Sequence, residues 1–196
     1  MKNVAILVPE SSVLQAIADP QYCFSAVNQF LALSGRKPLF NVQLVGAKKE
    51  VKLNDGRYSV HTDKLLKEVK KTDLVFIPAL FGDMAGAVKA NKALAPWIVD
   101  QYKKGAEVAS LCVGAFLLAS TGLLNGKKCS THWGFTNEFR EMFPRWMYKT
   151  EVLLRKKAAS IQAVAPTLTG TCCCIWWRNI LTGKQPFLPP NILPLI

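Results

Sequence analysis

The sequence predicts a three-layer α/β sandwich around a mostly parallel sheet, on three observations. Short apolar runs alternate with longer stretches whose apolar residues fall at helical spacing. The strand-like runs are nearly continuous in apolar residues, as expected for strands covered on both faces. One of them, residues 107–111, passes straight into an apolar helix through Ser110-Leu111-Cys112-Val113-Gly114. Strands alternating with helices imply right-handed crossovers, a parallel sheet and helices on both sides.

Residues 4–8, Val-Ala-Ile-Leu-Val, read as the first buried strand. Residues 22–33 place Phe24, Val27, Phe30, Leu31 and Leu33 largely on one helical face, and Gly35 ends the pattern. Residues 41–45 read as a second strand. Residues 51–53 and 58–60, either side of Asn54-Asp55-Gly56, read as a hairpin because Asp-Gly supplies the positive-φ turn. Residues 62–69 read as a short polar helix. A third buried strand covers 72–78, helical material rich in Ala and Lys covers 84–104, and the fourth strand is 107–111. An apolar helix follows over 114–119, then the loop Gly122-Leu123-Leu124-Asn125-Gly126. Residues 128–131 are extended, and 135–142 form a helix before Phe143-Pro144. No repeat or linker divides residues 1–144, which therefore form one domain.

With 196 residues and 50% apolar composition, the chain can bury one full-sized core. No run of about 18 uncharged apolar residues occurs, so no membrane span is predicted. Pro9-Glu10 ends the apolar start at once, with no small-residue cleavage site behind it, which reads as a strand and not a secretory leader. A cytoplasmic protein with reduced thiols is expected. Cys23, Cys112 and Cys129 are scattered singly and Cys172, Cys173 and Cys174 are contiguous. That spacing suits neither a disulfide framework nor a zinc site, and no metal or cofactor is expected. The net charge of +12 raises the question of nucleic acid. Half of the excess lies in residues 145–196, which hold seven Lys/Arg and one acid. Lys48-Lys49, Lys70-Lys71 and Lys103-Lys104 read as solvated helix ends and turns, without a helix-turn-helix pattern beside them.

The grammar changes at Arg145. Beyond it come five prolines, three adjacent cysteines and Trp176-Trp177. The genetic code limits what the frame starting on each codon's last base encodes. Trp146-Met147 must give Asp, Met147-Tyr148 and Trp176-Trp177 Val, and Cys172-Cys173 and Cys173-Cys174 Leu. With chosen wobble bases elsewhere, that frame reads as a strand, a Ser-Gly-Gly turn and an amphipathic helix, which an α/β domain needs next. Residues 145–196 are thus expected to be an out-of-frame tail and not a second domain, a divergent tail being the alternative. As written, residues beyond about 150 are expected to pack poorly, leaving apolar sheet surface that favours aggregation or tight dimerisation.

The chemistry centres on Cys112, at the joint between a buried strand and a helix. This is nucleophile-elbow geometry, which holds a side chain out at the carboxyl edge of a sheet. Gly114 permits close approach of helix to sheet, and the helix N-terminus is expected to lower the thiol pKa. His132, in Ser130-Thr131-His132-Trp133, is the candidate proton acceptor. The alternative makes Cys112 a small buried hydrophobe and His132 a structural hydrogen-bonder.

Residues 109–119, Ala-Ser-Leu-Cys-Val-Gly-Ala-Phe-Leu-Leu-Ala, then Gly122-Leu123-Leu124-Asn125-Gly126 and Ser130-Thr131-His132-Trp133, resemble the signature of the DJ-1/PfpI superfamily. Within it the chain is similar to the glutamine-amidotransferase-like N-terminal domains of AraC-type transcription regulators. The resemblance covers residues 1–144. It implies a flavodoxin-like, class I glutamine-amidotransferase-like fold. It matches Cys112 to the elbow cysteine, His132 to the following histidine and Glu10 to the acid beside the thiol, with Asp19 a second acidic candidate. Asp19, Gly82, Val113, Gly114 and Trp133 are the implied ligand-binding positions. At Pro78-Ala79-Leu80-Phe81-Gly82-Asp83 the chain departs from the pair of glycines that helps form an oxyanion site in catalytic relatives. The resemblance therefore implies a dimeric sensor of a small-molecule effector, reaching operator DNA only through a DNA-binding domain absent from this chain. The alternative is a cysteine-dependent hydrolase or lyase of amidase, glyoxalase-like or isocyanide-hydratase-like type. A redox-sensing or chaperone-like role is a third reading.

Overall fold

The structure, a computed structural model, describes residues 1–145, 147–148 and 161–164, all within one compact unit, Met1–Ala165. Strands β1 (Lys2–Leu7), β2 (Phe40–Gly46), β5 (Lys64–Leu65), β6 (Leu74–Ile77), β7 (Glu107–Leu111) and β10 (Ile161–Val164) form a six-stranded sheet of order β10-β7-β6-β1-β2-β5. Every pairing in it is parallel. Strands β3 (Glu50–Leu53) and β4 (Tyr58–His61) are the expected antiparallel hairpin, with Asn54, Asp55 and Gly56 all at positive φ. A second small sheet pairs β8 (Lys128–Cys129) with β9 (Met147–Tyr148). The out-of-frame reading of the tail lies mostly outside the described residues; β9 and β10 fall within that segment.

The continuous apolar strands are buried on both faces, as their composition requires. Ala5, Leu7, Val75, Ile77 and Val108 join a core with helices α2 (Met84–Ala90), α3 (Leu94–Lys103) and α4 (Ala115–Ser120). Helix α1 (Leu14–Leu33) lies against β1 and β2, with Phe24 edge-on to Phe40 at 4.9 Å. This is the three-layer, mostly parallel architecture that the sequence predicts.

Two elements differ from expectation. Helix α1 starts eight residues before the expected Tyr22 and runs through Pro20. Proline there removes one helical hydrogen bond. Burial of Ala16, Ile17, Pro20, Phe24, Val27 and Leu31 along one stripe outweighs that loss. Residues 62–69 are not a polar helix. Asp63 N–H donates to Leu44 O at 2.8 Å, and its carboxylate accepts from Leu44 N–H at 2.7 Å. These bonds commit the segment to the edge of β2, leaving room only for β5 and a 3₁₀ turn, Leu66–Glu68. The remaining helix, α5 (Thr136–Met142), follows a 3₁₀ turn at Trp133–Phe135.

Candidate functional site

From β1 the chain goes to β2 on one side and later to β6 on the other, so strand order reverses between β1 and β6. The loops leaving those two strands diverge there, and the crevice between them is where doubly wound sheets bind ligands. Here the loops are tied together. Val13 N–H donates to Ala79 O at 2.9 Å, Phe81 N–H to Ser11 O at 2.7 Å, and the hydroxyl of Ser12 to Pro9 O at 2.6 Å. Above them lies a groove of about 820 Å³, walled by residues 10–15, the hairpin tip with Asn54 and Tyr58, and residues 81–83 and 86–87. Gly82 lies in it at φ +87°, which a side chain rarely adopts. Asp83 caps α2, accepting from Ala85 N–H at 3.1 Å and Gly86 N–H at 2.9 Å.

One residue that holds this groove escaped the sequence reading. Asn91, buried at the end of α2, accepts from Glu10 N–H and donates to Glu10 O, both at 2.8 Å, and also donates to Ala87 O at 2.9 Å. Its helix-ending position in Ala90-Asn91-Lys92 is the only local signal. The partner that gives it meaning lies 81 residues away.

The elbow lies one strand further on, at the end of β7. Cys112 is half-buried with φ +53°, and a 3₁₀ turn, Cys112–Gly114, leads into α4. Left-handed backbone at a non-glycine residue costs about 1–2 kcal/mol and needs support from its surroundings. Gly114 provides part of it, because a Cβ there would lie 2.5 Å from Pro78 O and 3.0 Å from Ile77 O. The helix therefore rests directly on the exit of β6.

The thiol's expected acidity is corrected. Burial pushes the Cys112 pKa above its ordinary 9.0, and the hydrogen bond from Val113 N–H only partly opposes this. A neutral thiol is the favoured folded form. Its contribution to stability is complete below the unfolded pKa and is lost as pH rises through the raised folded value. Iodoacetamide should accordingly label Cys112 slowly at pH 7 and quickly only above about pH 9. Peptide mapping by mass spectrometry reads this directly, and rapid labelling of Cys112 at pH 6–7 would contradict it.

The other candidate residues are committed elsewhere. His132 Nδ1 accepts from Gly134 N–H at 3.1 Å, capping the turn at 133–135. That bond leaves the proton of a neutral imidazole on Nε2. The ring stacks on Trp133 at 5.3 Å and meets Phe135 edge-on at 5.8 Å. Among the described residues no hydrogen bond joins His132 to Cys112. The Glu10 carboxylate pairs with Lys48 Nζ at 2.7 Å, not with the thiol. Asp19 lies exposed on α1, Trp133 is 79% exposed, and Val113 and Gly114 are buried. Of the expected ligand-binding positions only Gly82 lines the groove, joined there by Glu10. Phe81 N–H, in the segment where catalytic relatives have their glycines, is taken up by Ser11.

A doubly wound sheet with a left-handed cysteine at a strand–helix joint defines a class of α/β proteins with an elbow at the sheet's carboxyl edge. The DJ-1/PfpI family profile matches residues 28–186, and the chain belongs to that family. The HTH-type transcriptional regulator CdhR of Pseudomonas aeruginosa is 31% identical over 87 residues, which are 44% of this chain and 25% of that protein. The chain thus matches about a quarter of that relative's length. Among solved structures, a candidate transcriptional regulator from Vibrio parahaemolyticus matches with TM-score 0.68 and 24% identity, over 82% of both chains. An AraC family transcriptional regulator from Pseudomonas putida matches with TM-score 0.61 and 17% identity, over 82% of this chain and 83% of the other. These two likenesses establish the fold.

Proposed function

We propose that this domain is the effector-sensing, dimerising part of an AraC-type transcription regulator, with the effector held in the groove at the β1/β6 crossover. The observation that carries this reading is a roomy groove built by bonded loops, one strand away from an elbow whose candidate imidazole and acid are each engaged elsewhere. The regulator relative supports it. DNA recognition then belongs to a domain outside this chain, in a cytoplasmic protein; among the described residues no helix is long and apolar enough to cross a membrane. Dimerisation is supported by Tyr22, Phe30 and Leu33, exposed on one side of α1. The tail from about Arg145 is proposed to be out of frame, which sequencing the gene across the codons for Pro144 and Arg145 decides. The family match crosses that boundary, so the proposal concerns the local reading frame and not family membership.

The test is a thermal-shift screen of small metabolites on the full chain. For a compound that raises Tm, Phe81→Ala should weaken affinity about tenfold by removing an exposed aromatic wall. Cys112→Ser should leave affinity within about twofold. The second reading, a cysteine-dependent hydrolase or lyase, is favoured by the left-handed φ of Cys112. Turnover of a bound compound that disappears in Cys112→Ser would establish that reading and remove the first.

A further inference from the structure

We propose that the amino end of the parallel sheet is a docking face for the phosphate backbone of duplex DNA. Parallel strands bring every entering segment to one end of the sheet, and four neighbouring entries carry bases. Lys2 starts β1, Arg36-Lys37 precedes β2, Lys70-Lys71 precedes β6 and Lys103-Lys104 precedes β7. Hydrogen bonds join these entries. Lys2 N–H donates to Leu39 O at 2.7 Å, Asp73 N–H to Asn3 O and Glu107 N–H to Asp73 O, both at 2.9 Å. Lys104 Nζ donates to Lys70 O at 3.1 Å.

All seven bases are exposed, and among the described residues three acids, Asp73, Asp100 and Glu107, share the face, leaving those residues at +4. Two of the bases form ion pairs, Lys2 with Asp73 at 3.6 Å and Lys104 with Asp100 at 2.6 Å. Among the described residues no ion pair engages the other five. The groove lining is instead acidic, with Glu10, Asp55 and Asp83 against Lys52, and Glu10 is paired with Lys48 at 2.7 Å. Among the described residues the groove is therefore acidic and the opposite end of the sheet basic. Four adjacent strands span about 14 Å, a length of duplex that presents about eight phosphate charges. A row of bases on that scale matches a charge-dense, repetitive partner. It carries no sequence information, so these contacts position the domain and do not select an operator.

The test is binding of the full chain to a short fluorescein-labelled duplex of mixed sequence, by anisotropy. With about four phosphates neutralised, affinity should fall about 100-fold between 50 and 200 mM KCl. Combined Lys70→Gln, Lys71→Gln, Lys103→Gln and Lys104→Gln should lower affinity at least about tenfold and flatten the salt slope by about 0.9 per lysine removed. If that variant misfolds by circular dichroism, the Lys70→Gln/Lys71→Gln pair is read instead. Neutralising Lys149, Arg155, Lys156 and Lys157 is the control for the basic tail. The proposal is overturned by absence of binding at 50 mM KCl, by an unchanged slope in the folded variant, by loss only in the tail control, or by equal binding of polyglutamate. Nothing in it depends on the groove, so it and the effector reading fail separately.

Discussion

Replacing Phe116 with alanine should destabilise the domain by about 3–5 kcal/mol, the range for a buried aromatic reduced to a methyl group. Phe116 has no exposed surface, follows the elbow on α4, and meets Phe139 at 4.8 Å, Phe143 at 6.2 Å and Phe135 at 6.3 Å, all near edge-on. One side chain thus joins the elbow helix to α5 and to the turn that carries His132. Its loss leaves a cavity among three rings that cannot all collapse inward. For a chain of this length the thermal midpoint should fall by roughly 6–20 °C. Phe116→Leu, closer in volume, should retain most of the stability. Chemical denaturation reads both variants. A loss below about 1 kcal/mol for Phe116→Ala would mean that the cluster is not packed as described.

Gly114→Val should cost about 3 kcal/mol, and Gly114→Ala should also destabilise, although two effects oppose each other there. Gly114 has helical dihedrals, φ −57° and ψ −19°, so alanine gains up to about 1 kcal/mol in helix propensity. Against that gain, its Cβ would lie 2.5 Å from the backbone oxygen of Pro78, which can move only if β6 moves. Overpacking against rigid backbone costs about 1–3 kcal/mol and wins. Gly86 is the control, because a Cβ there meets the Asp83 carboxylate, a side chain that can turn away at the cost of its cap on α2, about 1 kcal/mol, without moving backbone. Gly86→Ala should therefore cost less than Gly114→Ala. Equal stabilities for wild type and Gly114→Ala would remove the close helix–strand contact, and with it the account of how Cys112 is held.

Much of the fold was legible because a strand buried on both faces must be apolar throughout. Residues 4–8 and 74–77 carry that signature, and Asp55-Gly56 marks its hairpin as clearly. The polar helix expected over 62–69 failed for a physical reason. Local propensity does not register Asp63, whose backbone and side chain both bond Leu44, nineteen residues away. Helix α1 was cut short for the converse reason. Pro20 is a strong local signal, and the buried stripe that overrides it runs across it.

The candidate site divides along the same line. From the sequence alone came the elbow, since Cys112 follows an apolar run and Gly114 follows it at the spacing a strand–helix joint requires. Only the tertiary structure decided which groups meet. The Lys48 grip on Glu10 and the Asn91 clamp join residues through contacts that spacing does not encode, whereas the imidazole cap on Gly134 is a local bond two residues away. The basic end of the sheet is the clearest case. Lys2, Arg36, Lys70 and Lys103 lie far apart along the chain, and each looks like an ordinary solvated base. They form one face because parallel strands must all be entered from the same side.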